Sequence, residues 1–75
     1  MDEVEVTEES GLAGSTLAEV RFRQAYGATV VGIVRQDSHI ASPGPNERIG
    51  LGDWLIVIGL PQSLEELKRK FSAPG

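Results

Sequence analysis

The run Trp54-Leu55-Ile56-Val57-Ile58, launched by Gly50-Leu51-Gly52-Asp53 and stopped by Gly59, contains no polar residue. Successive side chains of a β-strand point to opposite faces, so a strand with one wet face alternates apolar and polar residues. This run does not alternate, and both of its faces therefore need cover. The segment Ala28-Thr29-Val30-Val31-Gly32-Ile33-Val34 reads the same way. Helices can cover one side of a sheet built from these strands. A chain of 75 residues has too little material left for the other side. A second copy of the chain is the simplest cover, so the pattern predicts a dimerising module.

Size supports that reading. One domain of this length buries only about 60% of its unfolded surface and is marginal alone. Small scaffolds usually add disulfides, a metal or a partner. The chain has no cysteine and a single histidine, His39. That removes disulfides and a closed zinc site within one chain, predicts no metal, and fits a reducing cytoplasmic compartment. Seven basic against eleven acidic residues give a net charge of −4. Non-specific nucleic-acid binding needs basic surface to neutralise phosphates, so no nucleic-acid partner is expected. No apolar run approaches the ~20 residues that span a bilayer, and no secretory signal is visible. The abrupt start and end predict that residues 1–75 are a single domain cut from a larger protein.

Along the chain, the acidic and β-branched residues of Asp2-Glu3-Val4-Glu5-Val6-Thr7-Glu8-Glu9 predict an edge strand with Val4 and Val6 inward. Ser10 to Gly14 reads as a loop. Ser15 or Thr16 is placed to cap a helix, with Glu19 completing a capping box. Leu17 and Val20 share one helical face, but Phe22 falls off it, which predicts a break near Arg21 to Arg23. A second short turn then ends at Gly27. A strand from Ala28 to Arg35 leads into a tight turn, Gln36-Asp37-Ser38, and a return strand, His39-Ile40-Ala41. Ser42-Pro43-Gly44-Pro45-Asn46 is a stiff bend. Arg48-Ile49 predicts a further short strand before Trp54 to Ile58. Pro61 suits the first turn of a final helix, with Leu64, Leu67 and Phe71 on its apolar face. The fold class is α+β: a small, mostly antiparallel sheet in the order β-α-β-β-β-β-α, two helices on one face, dimerising through the sheet.

No catalytic site is visible, and an enzyme is not expected. The carboxylates sit in polar settings that do not raise a pKa for acid work. Asp53, after Gly52, reads as a turn residue bonding nearby backbone. Gly50-Leu51-Gly52 lacks the third glycine and the helix of a dinucleotide fingerprint. Arg35 and His39, near each other across the hairpin turn, with Arg48 close by and all doubled by a twofold axis, suggest a cationic cleft for a phosphate-bearing ligand. The alternative is that they are solvated hairpin ends. Trp54 reads as a core or dimer-packing residue.

The ordered set Ser10-Gly11-Leu12-Ala13-Gly14-Ser15-Thr16-Leu17-Ala18-Glu19-Val20, then Arg23-Gln24-Ala25-Tyr26-Gly27-Ala28-Thr29-Val30-Val31-Gly32-Ile33-Val34-Arg35, resembles the C-terminal lobe of RCK domains, the TrkA C-terminal domain family. The resemblance continues through Pro43 or Pro45, Gly52 to Gly59 and Leu64-Glu65-Glu66-Leu67. It implies a homodimeric, cytoplasmic regulatory lobe of a potassium channel, potassium uptake system or cation–proton antiporter, associated with or fused to an inner-membrane transport protein. It also implies cyclic di-AMP or another nucleotide as effector at the lobe interface. The positions this resemblance points to are Val30 and Val31 beside the base and Arg35 at phosphate, with His39 and Pro43 as further candidates. A purely structural dimerisation module is the rival reading.

Overall fold

The computed structural model describes residues 1–71. Four strands form one sheet in the spatial order β1-β4-β2-β3, every neighbour antiparallel. They are β1 (Asp2–Glu5), β2 (Thr29–Arg35), β3 (Ser38–Ala41) and β4 (Trp54–Ile58). The apolar run expected as a doubly covered strand is thus a central strand, flanked by β1 and β2. Its inward residues Leu55 and Val57 are fully buried. Cross-strand partners share a face. Leu55 therefore lies beside Val4 and Ile33, and Val57 beside Val30.

Helices close that face. α3 (Pro61–Phe71) begins at the expected proline and buries Leu64 and Leu67. α1 (Leu17–Val20) and α2 (Phe22–Tyr26) are single turns broken at Arg21, which takes a left-handed conformation with φ 50° and ψ 45°. The break falls where the apolar stripe fails. It lets Phe22 turn inward to meet Tyr26 and Phe71, with ring centroids 6.3 and 5.5 Å away. α1 buries no side chain completely, so its ends matter more than its packing. Thr16 caps it: Glu19 N donates to Thr16 Oγ1 at 3.3 Å, and Thr16 N donates to Glu19 Oε1 at 2.8 Å. Thr16→Ala should lower stability by about 1 kcal/mol and the melting temperature by roughly 4–8 °C, checked by thermal unfolding followed by circular dichroism.

Two expectations are corrected. The Arg48-Ile49 strand is only an isolated bridge between Thr16 and Arg48. Its partner segment enters α1 one residue later, so no ladder can grow. Residues Glu8–Ser10, on the border of the predicted edge strand and loop, form a 3-10 turn closed by Gly11 at φ 72°. Between Val30 and Gly32 the β2–β4 register shifts, leaving Val31 as the extra residue of a bulge.

The opposite face of the sheet is open. It carries Trp54, Ile56 and Ile58 of β4, Gly32 and Val34 of β2, and His39 and Ala41 of β3. Trp54 and Ile58 are 40% and 44% exposed. Glu3 and Glu5 of β1 border this apolar strip, paired with Ile56 and Trp54. One chain covers one face of its sheet and leaves the apolar strip on the other face open.

Candidate functional site

The end of the β2–β3 hairpin is tied to the start of β4 by charge. Arg35 Nε donates to Asp53 Oδ1 and Oδ2 at 3.1 Å each, and Arg35 Nη2 donates to Oδ2 at 2.8 Å. Nη2 also donates to the Arg48 carbonyl at 2.9 Å, and Nη1 reaches Glu47 Oε2 at 3.4 Å. Asp53 is buried and accepts from Gly50 N at 2.8 Å as well, closing the turn before β4. Burial alone raises the Asp53 pKa. The Arg35 hydrogen bonds, the Gly50 N–H and the Arg35 charge outweigh it and hold the carboxyl below the usual carboxylate range. Asp53 is therefore the turn residue the sequence predicts and, in addition, the anchor of Arg35. The second role joins residues 18 positions apart and carries no local signal.

The hairpin does not gather Arg35 and His39 on one surface. Its loop holds two residues, Gln36 and Asp37, so Arg35 pairs with Ser38 and Val34 with His39. His39 thus projects from the open face, and Arg35 from the helix-covered face toward Asp53. A predicted three-residue turn would have paired Arg35 with His39, and a one-residue shift exchanges faces. The Arg48 guanidinium reaches the Gly14 carbonyl.

Val30 and Pro43 do come together. They line a groove of about 410 Å³ between α1–α2, the start of β2 and the bend after β3. Leu17, Val20, Ala28 and Pro45 add apolar wall, and Arg21 and Arg23 stand at it. Val31, half-buried at the bulge, lies outside this lining. Among the described residues no helix is long and apolar enough to cross a membrane, and no group of His, Cys, Asp and Glu is placed to hold a metal ion.

The TrkA-C domain family model matches residues 1–72. The chain belongs to that family. Among curated proteins it is similar to Ktr system potassium uptake protein C of Bacillus subtilis, 37% identical over 67 residues. That match covers 89% of this chain and 30% of the relative. The TrkA-C lobe spans between 10% and 30% of the length of the curated relatives it matches. Among solved structures it is similar to the RCK_C domain dimer of S. agalactiae BusR in complex with c-di-AMP. The identity is 31% and the TM-score 0.83, covering 95% of this chain and 93% of that one. The RCK C domain of potassium transport protein KtrA, also in complex with c-di-AMP, matches at 32% identity and TM-score 0.82, covering 91% and 78%. A longer BusR chain, of which the lobe covers 35%, has been solved with its busAB-promotor DNA. The expectation of no nucleic-acid partner, drawn from the charge of residues 1–75 alone, therefore does not extend to a longer chain carrying such a lobe.

Proposed function

We propose that this TrkA-C lobe is the ligand-sensing, dimerising part of a cytoplasmic regulator of a potassium channel, potassium transporter or cation–proton antiporter, with cyclic di-AMP or another nucleotide as its effector. The observation that carries this is whole-chain similarity, in sequence and fold, to lobes solved with c-di-AMP. The groove supports it, because Val30 and Pro43 supply flat apolar walls of the kind that hold a base. Val31 follows that wall along β2, Arg35 ties the far end of β2 to the start of β4, and His39 projects from the open face. A ligand that favours one arrangement of two lobes shifts their population toward it, and a membrane portion can read the shift.

The second reading is a structural dimeriser without effector. What favours it is that Arg35, the position expected to meet phosphate, already holds a buried carboxylate. Isothermal titration decides between them. The sensing role predicts micromolar binding of cyclic di-AMP with one ligand per two chains. Failure to bind cyclic di-AMP, ATP, ADP and calcium would leave the structural module.

A further inference from the structure

We infer that the groove between α1–α2 and β2 is a phosphate-receiving site whose cations are Arg21 and Arg23. The inference rests on the sensing role for its ligand class, a nucleotide, and adds the residues that would hold the charge. In this chain acidic residues outnumber basic ones eleven to seven. Yet among the described residues the groove is lined by two arginines and by no aspartate or glutamate. Of the other five cations, Lys70 lies on α3 outside the groove lining, and three are paired with carboxylates: Arg35 with Asp53 and Glu47, Lys68 with Asp2, and Arg69 with Glu65. Arg48 reaches a backbone carbonyl. Among the described residues the Arg21 and Arg23 guanidiniums have neither an ion pair nor a hydrogen bond.

Two unpaired guanidiniums beside an apolar wall match a ligand with a flat apolar body and a phosphate. A guanidinium binds phosphate through paired N–H donors, and prolines and aliphatic side chains accept the ring. Arg21 also occupies a left-handed conformation, φ 50°, which non-glycine residues seldom adopt. Glycine would sit there with less strain, so an arginine at this corner calls for a reason beyond the turn itself.

That corner offers a variant that removes the cation without harming the fold. Arg21→Gly and Arg23→Gln, singly and together, would be titrated calorimetrically with cyclic di-AMP, ADP and sodium pyrophosphate. Arg69→Gln serves as a control for loss of one positive charge. Backbone amide shifts of Thr29 and Val30 would report where the ligand sits. The expected result is that each groove variant weakens cyclic di-AMP binding about tenfold or more and the pair about a hundredfold. Arg69→Gln stays at the wild-type value, and Arg21→Gly melts no lower than wild type. Pyrophosphate binding as tightly as the nucleotide identifies free polyphosphate as the source of the phosphate; tighter nucleotide binding identifies the nucleotide. Both outcomes keep the site. Wild-type affinity in the folded double variant, or no shift at Thr29 and Val30, overturns the groove assignment and leaves the sensing role standing. No binding of cyclic di-AMP, ADP or pyrophosphate by the wild type overturns the groove assignment, and failure to bind ATP and calcium as well overturns the sensing role.

Discussion

Replacing Asp53 by alanine should lower the melting temperature by about 10–20 °C, which for a domain of this size corresponds to roughly 2–3 kcal/mol. The carboxylate is almost wholly buried and accepts from three donors on two segments, Arg35 Nε and Nη2 on β2 and the Gly50 amide before β4, while Arg35 Nη2 also donates to the Arg48 carbonyl. Breaking a fully buried ion pair costs about 3–5 kcal/mol. The Arg35 side chain is 36% exposed, so water recovers part of its solvation and the figure is discounted accordingly. Arg35→Lys should lose much of the same stability, because an ammonium cannot reproduce the forked donation to both carboxylate oxygens.

The same carboxylate sets a pH dependence. Its pKa in the folded chain is depressed, so its stabilisation is complete above the ordinary aspartate value of about 3.9. It is lost as pH falls below that value through the folded pKa. Acid unfolding of the wild type should therefore steepen below about pH 4, whereas Asp53→Ala, already weakened, should show a shallower fall. Denaturant unfolding at several pH values measures both. Equal stability of wild type and variant at neutral pH would remove the cluster from the account.

Trp54→Arg should dissociate the proposed dimer and leave the protomer folded. Trp54 projects from the open face and is 40% exposed in the single chain. Its cross-strand neighbours there are Val34 and Glu5. An arginine at this position gains a carboxylate partner within its own chain, so monomer folding loses little. Against a second copy the same charge must be stripped of water. Aromatic anchors at the centre of an interface typically carry about 2–4 kcal/mol, so the dissociation constant should rise about 30- to 1,000-fold. Size-exclusion chromatography with light scattering, alongside circular dichroism, separates dissociation from unfolding. A variant that stays dimeric would place the interface elsewhere.

What could be read from the sequence was what is encoded locally. The capping box at Thr16 and Glu19, the break before Phe22, the cap at Gly27 and the start of α3 at Pro61 each depend on residues within one or two turns. The unalternating runs identified both central strands, and the spacing of Leu64, Leu67 and Phe71 identified the helix face that covers them. Register was not readable. The hairpin loop is one residue shorter than its polar composition suggests, which sends Arg35 and His39 to opposite faces. Ile49 has the β-branched shape of a strand residue, but the segment it meets turns helical at once. Arg35 found its partner in Asp53 only because β2 and β4 are neighbours in space. The groove likewise joins α1–α2 to the bend at Pro43 and Pro45. The sequence shows that the chain turns at Arg21; which surface its two arginines then share is decided by the packing.

Sedimentation equilibrium of the wild-type chain, from low to high micromolar concentration, tests the whole account most directly. An apolar strip of Trp54, Ile56, Ile58 and Val34 that no helix among the described residues covers predicts a mass twice the 8.0 kDa of one chain, falling only on strong dilution. A folded species of single-chain mass throughout that range would contradict it.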